Sequence, residues 1–540
     1  MGAARIFVPP LLVLEEPVLT GVHPINWKSV RWIRTFNGKE VVAMRIVRWH
    51  FGWIFGVLGT LALVGCGGGG GGSSSVSGGT ATIQGSVPGT DFVAVDSDTN
   101  LEAKRVAATG TPKTFSMVVP TGRKYRFYVM ENEGTGNSRV YPMYMGTNNV
   151  FELDNTADGQ TISLGMVNPD LRLGNAIPAN TSELMMGRGE NATVPPFLAG
   201  MAFSMDNVKG TTWGYNTMMT SGTMGWEHGT LTFDSNGWGN MTDVVRSGNP
   251  SGIGSNIPYT MSLSGMLLNP GDNTFQCVVS RDMSVMVATF TDNTGGPAMM
   301  IGQRRGGTFQ TDGSNMTGTW RFQRLTAGSD NTTSGWAFGT MGIISGSASI
   351  TSMTTNNGVG GGGTFVFSMN ANGIMTEAFD TSFYGVMSMD KSMIVATDTS
   401  GGHPEFWIMM RTTPGTDYFN ADMMGDWVMH SVSSGNAGSR DWAFGHSFVD
   451  SSGNNTFSQM MGSTGTISPA QMTMAMNGAT GVMTIPGTGG GMGGGMMGGG
   501  MMGGGMMTQT FHGIMNEGKN MMVSTYSDGN GGYPFSIQVK

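Results

Sequence analysis

Residues 383–397 read Phe-Tyr-Gly-Val-Met-Ser-Met-Asp-Lys-Ser-Met-Ile-Val-Ala-Thr, and this stretch has two counterparts in the same chain. Residues 275–289 read Phe-Gln-Cys-Val-Val-Ser-Arg-Asp-Met-Ser-Val-Met-Val-Ala-Thr, and residues 511–525 read Phe-His-Gly-Ile-Met-Asn-Glu-Gly-Lys-Asn-Met-Met-Val-Ser-Thr. In each copy two apolar runs flank a short polar segment, which is typical of two β-strands joined by a tight turn. The three copies therefore predict three related β-domains.

Two sets of tryptophans repeat with these hairpins. The first set recurs every 107 residues, at Trp213, Trp320 and Trp427. The second set comes three residues before a glycine in each repeat, at Trp226, Trp336 and Trp442. Because they recur with the strands, we interpret them as core residues. Indole also offers an apolar face and a hydrogen-bond donor, so a ligand-binding role stays open.

The repeats span 210–305, 317–411 and 424–540, and each has room for seven or eight short strands. Glycine accounts for 89 of the 540 residues and separates short apolar runs, which indicates an all-β chain of antiparallel meanders. Two architectures fit a repeat of this size. One is a small closed barrel in each repeat, and the alternative is a six-bladed propeller with two blades per repeat.

The ends of the repeats favour the barrel. Gly318-x-Trp320 near the start of the second repeat and Arg411 at its end resemble the calycin signature of lipocalins and avidins. The third repeat has Gly425-x-Trp427 and ends in Lys540. The resemblance implies small calycin-like barrels in which the terminal cation packs over the tryptophan of the first strand.

A further β-domain precedes the repeats. Residues 80–167 contain several runs with period-two alternation of apolar and polar residues, which predicts strands with one buried face. The run Phe115-x-x-Val118-Val119-Pro120-Thr121-Gly122-x-x-Tyr125 resembles the carboxypeptidase regulatory-like, or transthyretin-like, seven-stranded sandwich. The resemblance implies a spacer or binding module without catalytic residues. Residues 168–209 are interpreted as a connector.

The N-terminal part carries an export signal. Residues 51–64 form an apolar run too short to span a bilayer, preceded by two arginines. Leu63-Val64-Gly65-Cys66 resembles the lipobox of bacterial lipoproteins, which implies recognition by signal peptidase II and acylation of Cys66. We therefore assign 44–65 to a signal peptide and 66–79 to a glycine- and serine-rich tether. Residues 1–43 fit no part of such a signal and are interpreted as a probable non-native upstream extension.

The composition and the predicted location in the cell reduce the number of functions that fit the sequence. The net charge of −8 argues against a nucleic-acid partner. No nucleophile elbow, phosphate-binding loop or zinc-binding spacing is present, so we expect no enzymatic activity. The lipoprotein resemblance implies anchoring to the lipid bilayer of the outer membrane through Cys66, facing the periplasm or the cell surface. The sequence thus favours noncatalytic binding or structural display, with an unidentified envelope protein or ligand as partner.

Two alternative functions remain at this stage. The third repeat contains an insert at 487–507 whose thioethers could bind Cu(I) or Ag(I), since soft ligands select soft ions. Its methionines are Met492, Met496, Met497, Met501, Met502, Met506 and Met507. A solvated low-complexity loop is the other interpretation of this insert, and the chain then has no cofactor. The second alternative function is capture of a small apolar or sugar ligand inside the barrels.

The remaining thiol and the histidines suggest no reaction. Cys277 falls where the other repeats have Gly385 and Gly513, which indicates a buried thiol at a place that requires a small residue. The histidines of the last two repeats lack the spacing of metal ligands, and we interpret them as surface or half-buried strand residues. They are His403, His430, His446 and His512.

Overall fold

A computed structural model describes the chain in two compact units, Met1–Val76 and Ser77–Lys540. In the first unit it describes one antiparallel hairpin, β1 (Ile33–Phe36) and β2 (Lys39–Val42), within the predicted upstream extension. In the second unit it describes residues 78–540 apart from 111, 146–148, 155, 182–184, 189–193, 223, 248–255, 468–469 and 486–510. For 185–188 it describes the main chain alone. The signal peptide, Cys66 and most of the tether lie outside the described residues.

The first domain of the second unit is a β-sandwich. Its strands are β3 (Thr80–Ser86), β4 (Asp91–Asp96), β5 (Glu102–Ala107), β6 (Thr114–Pro120), β7 (Tyr125–Glu131), β8 (Arg139–Pro142), β9 (Tyr144–Met145), β10 (Asn149–Leu153), β11 (Thr161–Asp170), β12 (Asn175–Pro178) and β13 (Met185–Arg188). One sheet has the order β13-β10-β7-β4-β5, with β8 on β7 and β9 on β10. The other has the order β12-β11-β3-β6.

Alternation along the strands explains the sandwich. In β6, Phe115, Met117 and Val119 are buried while their neighbours are exposed, as expected of a strand with one core face. The ring of Phe115 stacks on Phe92 of the opposite sheet at 3.9 Å between centroids. The strands β12 and β13 lie in the segment interpreted from sequence as a connector, and each pairs with a strand of the sandwich.

Each of the three repeats forms an antiparallel barrel with eight strand positions. Nine strands are named in barrels 1 and 2 and ten in barrel 3, because one strand is interrupted in barrels 1 and 3 and a short extra strand pairs with the third strand in barrels 2 and 3. Barrel 1 consists of β14 (Thr212–Met219), β15 (Gly225–Phe233), β16 (Trp238–Arg246), β17 (Ile257–Pro258), β18 (Thr260–Met261), β19 (Met266–Leu268), β20 (Gln276–Val279), β21 (Val285–Thr291) and β22 (Pro297–Arg304). Barrel 2 consists of β23 (Gly318–Thr326), β24 (Gly335–Ile344), β25 (Ser347–Thr355), β26 (Gly358–Val359), β27 (Thr364–Met369), β28 (Ile374–Glu377), β29 (Tyr384–Met387), β30 (Met393–Ser400) and β31 (His403–Thr412). Barrel 3 consists of β32 (Gly425–Gly435), β33 (Trp442–Val449), β34 (Asn454–Gly462), β35 (Gly465–Ile467), β36 (Ala470–Thr473), β37 (Ala475–Met476), β38 (Val482–Thr484), β39 (His512–Met515), β40 (Met521–Thr525) and β41 (Gly532–Val539).

All three barrels close in the same way. The first strand pairs with the last in each: β14 with β22, β23 with β31, and β32 with β41. On the opposite side the fourth strand changes partner along its length. The first half of β27 pairs with β25 and its second half with β28. In barrels 1 and 3 this strand is interrupted at Tyr259 and Met474, so that β17 pairs with β16 and β18 with β19, while β36 pairs with β34 and β37 with β38.

These closed sheets confirm the predicted all-β class and the small barrels, and they exclude the six-bladed propeller. A propeller blade is an open four-stranded sheet, whereas each repeat here returns its last strand to its first. Helices are few in the described residues: the 3₁₀ turns Pro196–Leu198, Met205–Asn207 and Ala437–Ser439, and one helical turn, Asn420–Met423. None of the described helices has the length and apolar content needed to cross a bilayer.

The barrel interiors are filled with side chains. The interior of barrel 2 contains Trp320, Phe322 and Trp407 among buried methionines and small apolar residues. Barrel 3 depends most on methionine, whose flexible thioether fills irregular space. Its buried methionines are Met423, Met429, Met460, Met472, Met474, Met483, Met515 and Met522. An eight-stranded barrel is just wide enough for its own side chains, and these barrels follow that rule.

Candidate functional site

The first tryptophan of each repeat lies inside its own barrel. Trp213, Trp320 and Trp427 are fully buried. The indole Nε1 of Trp320 donates to the main-chain oxygen of Met316 at 2.7 Å, and that of Trp427 to Met423 at 2.8 Å. Trp213 donates instead to the Thr211 hydroxyl at 2.8 Å. The donor is therefore satisfied within each barrel, as a buried indole requires.

The terminal cations lie where the calycin resemblance implies. The guanidinium of Arg411 lies 4.8 Å from the Trp320 ring centroid, and the ammonium of Lys540 lies 4.6 Å from that of Trp427. In barrel 1, Arg304 is the register partner of Trp213 across the first and last strands. Burial lowers the pKa of Lys540 to about 8. The cations thus cover one end of barrels 2 and 3.

The second tryptophan of each repeat makes a contact with a different barrel. Trp226 of barrel 1 donates through Nε1 to the Thr399 hydroxyl of barrel 2 at 2.7 Å. Trp336 of barrel 2 donates to Ser527 of barrel 3 at 2.9 Å. Trp442 of barrel 3 donates to Thr291 of barrel 1 at 2.9 Å, which closes the cycle. These three residues are buried at the interfaces, and the first set is buried inside the barrels, as the interpretation of both sets as core residues expects.

A second cycle of hydrogen bonds runs through the middle of the same interfaces. The Thr397 hydroxyl donates to Asn216 Oδ1 at 3.0 Å, and the Thr525 hydroxyl donates to Gln323 Oε1 at 2.7 Å. The Thr289 hydroxyl lies 3.2 Å from His430 Nδ1. The six side chains are fully buried and occupy equivalent places, since Asn216, Gln323 and His430 each follow the first tryptophan by three residues.

Together the two cycles join the barrels head to tail into a closed ring. The same surface of each barrel contacts a different surface of the next, and a heterologous interface of this kind gives a ring when the rotation closes. Apolar side chains on the outward faces of the strands surround the polar contacts and form one continuous core with the sandwich. The barrels are therefore parts of one body.

Each interface of the ring also contains a histidine: His228 and His430 are buried, and His512 is half-buried. The ring of His228 stacks on Tyr384 of barrel 2 at 3.6 Å between centroids, and that of His512 stacks on Phe338 at 3.5 Å. Burial lowers the pKa of His228 to about 4. Burial, with the nearby positive charge of an arginine, lowers the pKa of His430 and of His512 to about 3. All three imidazoles are therefore neutral at pH 7.

The interpretation from sequence was wrong for two of the four histidines of the last two repeats. His430 and His446 are fully buried, whereas we had interpreted them as surface or half-buried residues. His403 and His512 are half-buried, as interpreted. Both positions lie on the outward face of their own barrel, where barrel 1 covers His430 and the sandwich covers His446. A signal was present in the threonine that recurs at the same place in the three hairpins, at Thr289, Thr397 and Thr525.

His446 belongs to a buried polar cluster between barrel 3 and the sandwich. Its Nε2 lies 3.0 Å from Glu131 Oε1 and 3.3 Å from Asp426 Oδ1. Burial disfavours the imidazolium, but the two carboxylates outweigh burial and raise the pKa of His446 to about 10. Asn132 holds the main chain of Asp426 with two hydrogen bonds, at 2.9 and 2.7 Å.

Arg139 provides the other polar connection between the sandwich and the ring. Its guanidinium is buried and donates to the main-chain oxygens of Ser264 at 2.6 Å, Val279 at 3.0 Å and Lys540 at 3.0 Å. One side chain of the sandwich thus contacts both barrel 1 and barrel 3. Because sequence analysis found no motif around Glu131 or Arg139, it missed both junctions.

A small polar cleft lies beside the interface between barrels 2 and 3. Its volume is about 180 Å³, which is below the range of ordinary small-molecule sites. Its lining includes Arg321, Phe338, Thr340, Ser352, Met353 and His512. The cleft has room for a few water molecules, and its lining contains no carboxylate or thiol.

Cys277 is buried inside barrel 1, as predicted from the glycines at its counterparts. Burial raises the pKa of its thiol. We expect Cys277 in a Cys66→Ser chain to stay unreactive toward dithiobis(nitrobenzoate) in the native protein and to react at once in denaturant, because attack requires an accessible thiolate. Absorbance of the released thiolate measures the rate. Rapid reaction in the native state would contradict the burial.

The other predicted site residues lie outside the described part of the chain. These are the lipobox residues Leu63, Val64 and Gly65, the lipidation site Cys66, and the whole methionine set from Met492 to Met507. Their assignments stay predictions.

The fold defines the class of the repeats: they are three tandem calycin-like β-barrels. No protein-family model matches the sequence, and no curated protein matches it. Among solved structures, the chain is similar to a protein of unknown function of the DUF3598 family from Nostoc punctiforme, with 8% identity over 61% of this chain and 95% of that chain and a TM-score of 0.16. It is also similar to isotype 1 transferrin binding protein B from serogroup B Neisseria meningitidis, with 10% identity over 61% of this chain and 75% of that chain and a TM-score of 0.18. Likeness at these TM-scores supports no functional argument.

Proposed function

We propose that the protein is a noncatalytic, lipid-anchored cell-envelope protein that serves as a scaffold for binding or structural display at the outer membrane. The closed ring of three barrels supports this proposal best. Its buried side chains form hydrogen bonds between domains, through Trp226, Trp336 and Trp442, and its barrel interiors are packed. Such residues stabilise a fixed shape.

The ring also bears on how a partner would be bound. Three related barrels arranged head to tail present three related outward faces in fixed mutual orientation. A repetitive partner would contact these faces together, and the fixed spacing raises the effective concentration of the second and third contacts. Ligand capture inside the barrels finds no support, because large side chains fill the interiors.

The proposed lipid anchor is supported by the sequence alone. A lipobox followed by a flexible tether would attach the ring to a membrane while leaving it free to reorient. Several acyl chains on Cys66 would hold it durably, since a single chain binds only marginally.

We expect Cys66→Ser to abolish incorporation of labelled palmitate and to move the protein from the membrane fraction to the soluble fraction. Cys277→Ala is the matched control, because it removes the other thiol of the chain and should leave both properties unchanged. Fractionation and mass spectrometry of the purified protein measure the result. Palmitate-free, membrane-bound wild-type protein would contradict the anchor.

A further inference from the structure

The junction between the sandwich and barrel 3 contains three buried ligand-type side chains that come from distant parts of the chain. Glu131 ends strand β7 of the sandwich, Asp426 lies in β32, and His446 lies in β33. Their exposed fractions are 1%, 2% and 1%. Carboxylates at this depth are costly unless a cation or several hydrogen bonds compensate for their lost hydration.

Three potential metal-ligand atoms converge at this junction. Glu131 Oε1, Asp426 Oδ1 and His446 Nε2 lie within 4.8 Å of one another. Among the described residues, none of these three atoms has a partner in a well-aligned hydrogen bond, although Nε2 is 3.0 and 3.3 Å from the two oxygens. The imidazole nitrogen therefore lies close to both oxygens.

Two of the three separations within this set fit a tetrahedral metal shell. Zn²⁺ binds imidazole nitrogen and carboxylate oxygen at about 2.0–2.2 Å, so neighbouring ligand atoms around it are separated by about 3.3 Å. The distances from Nε2 to the two oxygens are close to that value. One imidazole and two carboxylates form a three-ligand set that leaves the fourth position open.

The surroundings hold the ligands in place. His446 Nδ1 lies 3.3 Å from the Ser458 hydroxyl, and a contact on this second nitrogen orients the ring for a ligand on the first. The Thr90 hydroxyl is 3.5 Å from Asp426 Oδ2, the oxygen that faces away from His446.

One cation competes for the same carboxylate. The ammonium of Lys113 lies 3.5 Å from Asp426 Oδ1. The same ammonium donates to the main-chain oxygen of Pro88 at 2.9 Å and lies 3.8 Å from the Phe448 ring centroid. Lys113 is therefore held by contacts that do not depend on Asp426, and a metal ion at the cluster would leave those contacts in place.

We propose that Glu131, Asp426 and His446 bind one divalent transition-metal ion of the Zn²⁺ type, which fastens the sandwich to barrel 3. Imidazole and carboxylate ligands suit Zn²⁺ and its neighbours in the first transition row, whereas a methionine tract selects Cu(I). The proposed site uses no residue of the methionine tract at 487–507 and does not involve the lipid anchor at Cys66.

The test uses the full chain with Cys66→Ser, freed of metal by chelator and titrated with Zn²⁺ by calorimetry. We expect one Zn²⁺ per chain and a rise in the melting temperature, because a ligand bound only by the folded state stabilises it. Co²⁺ should give visible absorption bands of a four-coordinate site with the same stoichiometry.

Variants separate this site from others on the chain. Glu131→Gln and Asp426→Asn keep the size of each side chain and should weaken Zn²⁺ binding at least about 100-fold, while His403→Gln, a half-buried histidine of barrel 2, should leave it unchanged. Circular dichroism confirms that each variant is folded. Absence of Zn²⁺ uptake by the wild type, or equal uptake by the folded Glu131→Gln and Asp426→Asn variants, would overturn the proposal and leave an imidazolium paired with two carboxylates. Neither outcome bears on the lipid anchor.

Discussion

Lowering the pH from 7 to 5 should strongly destabilise the protein through the three histidines of the ring interfaces. His228, His430 and His512 have pKa values of about 4, 3 and 3 in the folded state, against 6.5 for an ordinary histidine. Each is neutral when folded and takes up a proton when unfolded. Their contribution to stability is therefore complete above about pH 6.5 and is lost as the pH falls toward 4 and then 3.

The expected size is about 1–2 kcal/mol for each histidine at pH 5, since one pKa unit corresponds to about 1.4 kcal/mol. The contacts agree with this direction. Gln323 Nε2 donates to His512 Nδ1 at 2.7 Å, and a protonated nitrogen could not accept that bond. Denaturant titrations followed by tryptophan fluorescence at several pH values measure the loss of unfolding free energy.

The repeats themselves supply the control variants. Gln276 occupies the place of His512 in barrel 1, Gln323 the place of His430 in barrel 2, and Phe338 the place of His228 in barrel 2. The triple variant His228→Phe, His430→Gln, His512→Gln should therefore fold and should lose much less stability between pH 7 and 5. An equally steep pH dependence in that variant would contradict the assignment to these histidines.

Replacement of Trp226 by alanine should destabilise the protein by about 3–5 kcal/mol, which is typical of removing a buried tryptophan. The side chain is 5% exposed, donates to Thr399 of barrel 2 and lies beside the His228 ring at 5.3 Å between centroids. The substitution removes contacts of the barrel 1–barrel 2 interface, so hydrogen exchange should rise in β30 of barrel 2 as well as in barrel 1. Denaturant unfolding and exchange mass spectrometry measure the two effects.

Trp238→Ala is the matched control in the same barrel. Trp238 is 41% exposed, and its replacement should cost less than about 1 kcal/mol and leave exchange in β30 unchanged. If both variants lost the same stability, or if exchange in Trp226→Ala rose in barrel 1 alone, Trp226 would be a residue of its own barrel and no part of the interface.

The local fold was predictable because it depends on short-range patterns. The hairpin at 383–397 and its two counterparts appear in the structure as pairs of adjacent strands at equivalent places. The calycin resemblance of Trp320 and Arg411 correctly implied a cation over the tryptophan ring. Period-two alternation, tight turns and a repeated first-to-last strand contact are all visible in sequence, since each involves neighbouring residues or a fixed repeat length.

The ring could not be predicted because its contacts join residues that differ between repeats. Asn216, Gln323 and His430 share the ability to accept a hydrogen bond, but their identities differ and hide the equivalence. The cluster at Glu131 and Asp426 was out of reach for a different reason: its members are about 300 residues apart and belong to unrelated domains.

The contact between barrels 3 and 1 is the most direct test of whether the three barrels form a closed ring. Barrels that follow one another in sequence would also touch in an open string, whereas barrels 3 and 1 touch only if the ring closes. A photoreactive benzoylphenylalanine placed at position 442 should crosslink to the peptide that contains β21, in which Thr291 accepts the hydrogen bond of Trp442. Mass spectrometry of the digested product identifies the linked peptides. Crosslinks confined to the third repeat would show that the barrels form no ring.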